Sequence, residues 1–187
     1  MFGRSGVGAG AYGLTGGQVV GGEGWGVYHA IVRRNLRRSF AEVGRGNYGA
    51  IVRQFAPGAE HWFSGRHALS GGRRSGEEIQ RWYDRLAEVM PDLRFELTKV
   101  VAKGWPWDTV AFAEWVDHLT DREGNRYSNQ GVHVVRIKWG RITELHIYCD
   151  TELLERVLEK LGGQGVGEAV AEPVGEPGPF REARVGG

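Results

Sequence analysis

LRFELTKVVAKGWPWDTVAFAEWVDHLTDREGNRYSNQGVHVVRIKWGRITELHIYC, residues 93–149, decides the fold. Four runs inside it alternate apolar and polar side chains, over 93–103, 108–118, 126–139 and 141–149. A period of two belongs to strands with a buried face. Turn chemistry separates the runs: Trp105-Pro106-Trp107, then Asp121-Arg122-Glu123-Gly124-Asn125, then Gly140. Connections this short join antiparallel neighbours, so the stretch predicts a four-strand meander.

On either side of the meander the period changes to that of helices. Tyr28, Ile31, Val32, Leu36, Phe40 and Val43 predict an amphipathic helix over 26–43, stopped by Gly44 and Gly46. Arg33, Arg34, Arg37 and Arg38 fall on its other side, where a solvated face is the simple reading. A short helix is expected from Asn47, a good N-cap, with a strand over 59–64 after Pro57-Gly58. Ser75 and Glu78 form a capping-box pair ahead of Ile79, Trp82, Tyr83, Leu86, Val89 and Met90. Asp150 caps a closing helix that carries Leu153, Leu154, Val157, Leu158 and Leu161. Helices ahead of an antiparallel meander predict an α+β domain, with the helices gathered on one side of a strongly bent sheet that encloses a pocket.

Composition bounds the rest. Of 31 glycines in 187 residues, eleven lie in 1–26 and eight in 162–187, leaving twelve for the 135 residues between. The chain therefore reads as a disordered Gly-rich leader (1–24), a folded domain (25–162) and a disordered Gly/Pro/Glu tail (163–187), with a chain of 25–162 expected to fold alone. Glycine interrupts every candidate signal core, and Cys149 is the only cysteine, so a cytoplasmic protein is expected. No apolar run is long enough for a membrane span, and the net charge of +1 is too balanced for a nucleic-acid footprint. The expected partners accordingly include neither membrane nor nucleic acid. The six histidines lack a ligand spacing such as HxxxH, so no metal is expected, and no cofactor either.

The run HWFSGRHALSGGRRSG (61–76), followed by a helix and a meander ending in GRITELHIYCDTELLERVL (140–158), resembles the SnoaL-like branch of the nuclear transport factor 2-like superfamily over about residues 27–161. The resemblance implies a cone-shaped scaffold that holds a small apolar molecule between helices and sheet, often as a dimer and mostly without metal or cofactor. Matched by segment, the site of the ketosteroid isomerases in this superfamily falls near Ser39, Phe63 and His133, and the base is missing. The Asp-Arg-Asp group of limonene-epoxide hydrolases falls on Trp115, Asp117 and Ile147, of which one carboxylate survives. The single acid/base aspartate of the SnoaL-like polyketide cyclases is matched best, by Asp117.

Alternation gives a test that needs no family. Ala111, Ala113, Trp115 and Asp117 share one strand face, and Asn129, Gly131, His133, Val135 and Ile137 share one on the next strand. Both faces of both strands carry apolar residues, and we assign these two to the pocket because the segment match to the family places them there and the small residues Ala111, Ala113 and Gly131 leave room; Gly131 would clear space beside His133. A bulge would reverse the assignment. Asp117 and His133 are then the candidate acid/base pair: an apolar wall raises a carboxyl pKa, and histidine titrates near neutrality. The same two residues also read as a buried Asp–His hydrogen bond without catalytic duty. His61, Phe63, Trp82, Trp115, Asn129 and Ile147 are candidate substrate contacts. His61 reads equally as an outward residue, with Trp62 then supplying the wall. Trp82, Trp107 and Trp115 read as a site for a flat apolar ligand or as aromatic core. Cys149 reads as packing and Asp150 as a cap.

Two functions fit. One is a small-molecule-binding domain with cofactor-free cyclase, isomerase or hydrolase chemistry on a carbonyl compound. The other is a non-enzymatic binding or dimerisation module, homodimeric through the outer sheet face around Glu114, Val116 and His118. An open pocket of about 300 Å³ or more favours the first; a filled cone with an apolar outer sheet favours the second.

Overall fold

A computed structural model of the chain describes residues 23–176. The expected leader lies outside these residues up to position 22, as does the tail from 177 on.

Helix α1 (Glu23–Val43) buries Val32, Leu36 and Phe40 four residues apart. Ile31, expected in that stripe, is instead 42% exposed, because a helix turns 100° per residue and only one of two adjacent apolar residues can face fully inward. α2 (Tyr48–Val52) begins after Asn47 as expected. The Asn47 side chain makes no cap; its amide donates to Glu42 Oε2 at 2.7 Å instead. In α3 (Gly76–Val89) the capping box forms in full: Glu78 N–H donates to Ser75 Oγ (3.1 Å) and Ser75 N–H to Glu78 Oε2 (3.0 Å). α4 (Thr151–Gly163) is capped by Asp150, whose carboxylate accepts from Leu153 N at 3.0 Å.

Six strands form one curved sheet in the order β2-β1-β6-β5-β4-β3. These are β1 (Phe55–Phe63), β2 (Gly71–Arg73), β3 (Arg94–Trp105), β4 (Asp108–Thr120), β5 (Arg126–Lys138) and β6 (Arg141–Cys149). β3 to β6 are the expected meander. The sheet is mixed rather than wholly antiparallel, since β1 lies parallel to β6. After β1 the chain adds β2 on the outer edge, leaves the sheet with α3 and returns by way of the meander. β1 starts four residues before the expected 59, and Pro57 and Gly58 sit in a register irregularity between Phe55 and Glu60. A bulge is where a strand tolerates a residue without an N–H. β2 is too short to show any alternation.

The expected boundary at 162 moves outward. Val166 and Ala169 are 2% exposed, Glu168 pairs with Arg85 at 2.5 Å, and Glu176 exchanges backbone hydrogen bonds with Gly72 (2.7 and 2.9 Å). Arg73, fully buried, draws these pieces together: its guanidinium donates to the carbonyls of His61 (3.3 Å), Leu69 (3.4 Å), Ser70 (3.1 Å), Val174 (3.5 Å) and Gly71. A buried guanidinium with five donors needs such a cage of acceptors. The tail to residue 176 is thus part of the domain.

Candidate functional site

The inward face of the meander, as expected, carries Ala111, Ala113, Trp115, Asp117, Asn129 and His133. Ala111 and Ala113 have no accessible surface, and Trp115 is 3% exposed. Against this face pack Leu36 and Phe40 of α1, Ile51 of α2, and Trp82, Tyr83 and Leu86 of α3. Between helices and sheet lies a narrow, mainly apolar cavity of about 80 Å³. That is well short of the roughly 300 Å³ of a pocket for a drug-sized ligand, yet several times what one water needs. The cone is neither open nor filled.

Phe63, Trp82, Trp115, Asp117, Asn129, His133 and Ile147 all line it. His61 does not. It points inward but lies behind the wall with no accessible surface, its ring 4.5 Å from that of Trp82, and neither ring nitrogen has a partner among the described residues. Burial, with the Arg73 cation nearby, holds it well below the usual histidine range. Trp62 does not supply the wall either: it faces outward, edge-on to His146 and Tyr148. Trp107 is 50% exposed and outside the cavity, because it sits in the β3–β4 turn rather than on a strand face.

The two candidate acid/base residues are not partners. Asp117 pairs in register with Asn129, and His133 lies four residues further along β5, roughly 13 Å on. Asp117 Oδ1 accepts from Asn129 N at 2.8 Å, and Oδ2 has no hydrogen bond among the described residues. Burial raises its pKa, opposed by the Asn129 N–H and by His118. The Asn129 side-chain amide is engaged at both ends, donating to Asp150 O (3.0 Å) and accepting from Gln130 N (2.7 Å), which braces the site.

His133 is committed in a different sense. The indole N–H of Trp115 donates to its Nδ1 at 2.7 Å. Indole nitrogen only donates, so Nδ1 must carry a lone pair and the proton sits on Nε2. Burial agrees, lowering the pKa to about 3. At neutral pH His133 is therefore a neutral imidazole offering Nε2–H, which has no partner among the described residues, and not the titrating acid/base expected from its free pKa. Phe40 (4.9 Å between ring centroids) and Phe95 (6.3 Å) flank the ring. Gly131 serves Trp115 more than His133: a Cβ there would lie 2.6 Å from the indole and 2.3 Å from Tyr148 O.

The sequence reading missed Tyr83. In sequence it is one residue of an apolar helix face, but its ring lines the cavity beside Trp82 and its hydroxyl has no hydrogen bond among the described residues. Burial raises its pKa, keeping it a donor. No periodicity separates a tyrosine with a free hydroxyl from one that is packed. Cys149 also lines the cavity; burial, with Asp117 and Asp150 near, pushes it up to about 12, so it remains a thiol. Among the described residues no three His, Cys, Asp or Glu side chains are grouped to hold a metal ion.

A family model for the SnoaL-like domain matches residues 36–145. The chain belongs to the SnoaL-like family. No curated protein matches it. Solved structures carry the same fold. An NTF2-like protein of unknown function from Burkholderia pseudomallei is 16% identical, with a TM-score of 0.59 over 66% of this chain and 94% of that one. TerC, co-crystallised with polyporic acid, is 19% identical (TM-score 0.56; 70% and 95% covered). PrhC from Penicillium brasilianum is 8% identical (TM-score 0.60; 74% and 95% covered). Identities this low carry the architecture of this SnoaL-like domain, not its chemistry.

Proposed function

We propose that this SnoaL-like domain binds a small, largely apolar carbonyl compound in the cone and moves a proton on it, with Asp117 as the acid/base and the Nε2–H of His133 polarising the carbonyl oxygen. The observation that carries this is the contrast between the two groups. Asp117 is the cavity's only carboxylate among the described residues, with one oxygen uncommitted among them and its pKa raised by burial. His133 is held neutral by a donor on its other nitrogen, so it stabilises developing negative charge without surrendering its proton. The Tyr83 hydroxyl is a second donor. The narrow cavity favours a slender ligand that reaches from Asp117 towards His133, admitted past half-buried Ser39 and Val43.

Native mass spectrometry of the purified chain identifies the ligand, and exchange of its α-protons in D2O, followed by NMR, reads the chemistry without knowledge of the product. The wild type exchanges them; Asp117→Asn loses exchange by at least about a hundredfold, the usual worth of a positioned base. His133→Gln slows exchange and weakens binding. Exchange at the wild-type rate in Asp117→Asn overturns the assignment.

A second reading has its own support. Val101 (45% exposed) and Phe112 (48%) lie in one cross-strand row with Val134, His146 and Trp62 on the outer face of the sheet, beside Val116, Val132 and Tyr148. Such a patch fits a homodimer, with Glu114, Val116 and His118 protected from exchange. The dimer leaves the cavity untouched and is compatible with the first reading.

A further inference from the structure

The β3–β4 and β5–β6 turns lie at the same end of the sheet and carry three exposed tryptophans. Trp105, Trp107 and Trp139 are 44%, 50% and 75% exposed. The first two rings are parallel within 6° at 5.5 Å, and Trp139 lies 6.1 Å from Trp107. Trp139 N–H donates to Pro106 O at 2.6 Å, which ties the two turns into one body. Indole is the largest apolar side chain, and three left together in solvent are not what folding alone selects.

The local backbone sharpens the point. Trp139 is the only non-glycine residue with positive φ among the described residues (51°), followed by Gly140 at 79°. A two-residue hairpin turn with both residues left-handed favours Asn-Gly or Gly-Gly, and a bulky aromatic in the first position is strained. Lys138 and Arg141 stand directly opposite each other across this turn, a like-charge pair. An exposed indole, a strained position and opposed cations each work against stability, and they coincide.

The surroundings indicate what would offset them. The nearby carboxylates Asp108 and Glu144 are both held by Arg136, at 3.4 and 3.5 Å. Lys103 and Lys138 are exposed and have no partner among the described residues. The first turns of α1 are fastened to the same tip by His29 Nε2 on Gly104 O (2.9 Å) and the Tyr28 hydroxyl on Thr109 Oγ1 (2.7 Å). There they present Val27 and Ile31, 62% and 42% exposed, in one stripe with Arg34 and Arg38. A sugar stacked on the indoles would need free acceptors beside them, but the carboxylates at hand are held by Arg136. Exposed indoles and aliphatics beside cations that have no partner among the described residues match the boundary between lipid headgroups and acyl chains.

We propose that this end of the molecule docks on an anionic lipid surface, with the three indoles, Val27 and Ile31 seated at the headgroup boundary and Lys103, Lys138 and Arg34 on the lipid phosphates. This is surface binding and needs no span; no helix among the described residues is long and apolar enough to cross a membrane. The surface is separate from the cavity, so the proposal stands or falls without the carbonyl reading.

Flotation of the full chain with vesicles of phosphatidylcholine, alone or mixed with phosphatidylserine, tests it at low and high salt. The wild type floats with the mixed vesicles at low salt and is released at high salt. Lys103→Gln and Lys138→Gln each weaken binding about fivefold. Trp139→Asn places a residue that suits the left-handed turn, so it melts no lower than the parent while losing vesicle binding. Absence of wild-type flotation on mixed vesicles, equal flotation on phosphatidylcholine alone, or wild-type flotation of Trp139→Asn overturns the proposal. A Trp139→Asn protein that changes only its sedimentation overturns it in favour of a second copy of the chain.

Discussion

The imidazole of His133 shows how far a residue can move from its free chemistry. Its neutral state has two causes, the Trp115 N–H on Nδ1 and burial, and both act only in the folded chain. The sign of the consequence follows. Between the unfolded value of 6.5 and the folded value of about 3, the unfolded chain binds a proton that the folded chain refuses, so stability is complete above pH 6.5 and is lost as the pH falls towards 3. Each unit of displacement is worth about 1.4 kcal/mol. His67, lowered by burial to about 4, and His61 add losses of the same sign. Urea midpoints measured from pH 8 to 4 should therefore fall steeply below 6.5, and less steeply in His133→Gln; an unchanged slope in that variant refutes the lock. Asp117 has the opposite sign. Its raised pKa makes the ionised form a cost at neutral pH, so Asp117→Asn should be more stable than the wild type at pH 7 and should lose the advantage in acid. That Asp117 faces the pocket was legible from alternation together with the family match. That His133 would not titrate there was not, because pKa is a property of surroundings and not of residue type.

Among the elements, the meander was the most legible and β2 the least. Long strands must alternate, so β4 announced which residues share a face, and the small residues Ala111 and Ala113 with the family match picked the inward one. Three residues of Gly-Gly-Arg announce nothing, and only the carbonyl cage around Arg73 reveals why they pair. The β4–β5 ladder also explains a glycine. Trp115 lies opposite Gly131 in register, and its indole occupies the place a side chain would take, which lets it reach His133 one step along the face. Gly131→Ala would set a Cβ against Tyr148 O, a backbone atom that cannot step aside, and should cost at least about 2 kcal/mol in urea unfolding. It should also displace Trp115 and change its fluorescence; a variant as stable as the parent would contradict this packing. α1 was legible in its spacing but not in its rotation, since Ile31 and Val32 are neighbours and only the latter is buried.

At the scale of the molecule, the segment after α4 closes the domain. Val170 Cγ1 lies 2.5 Å from where a Cβ on Gly162 would stand, and Arg85 donates to Glu172 O at 2.6 Å as well as pairing with Glu168. Ending the chain at residue 162 should therefore cost at least about 2 kcal/mol, the worth of one buried aliphatic side chain with its neighbours uncovered. Ending it at 176 should cost much less, and equal urea midpoints for the two truncations would show that the tail contributes nothing. Composition alone misjudged this segment, because its glycines and prolines raise the cost of ordering without revealing that Arg73 and Arg85 supply the bonds that offset it. The sequence by itself determined the local facts: element types, the capping box, the meander and its inward face. Each of these depends on residues adjacent in the chain or spaced by a fixed period. The tertiary structure alone decided the parallel pairing of β1 with β6, the lock on His133, the exposure of the Tyr83 hydroxyl to the cavity, the placing of residues 163–176 and the gathering of Trp139 with Trp105 and Trp107. These rest on contacts between segments far apart in sequence, where burial and charge are set by neighbours that no local period can specify.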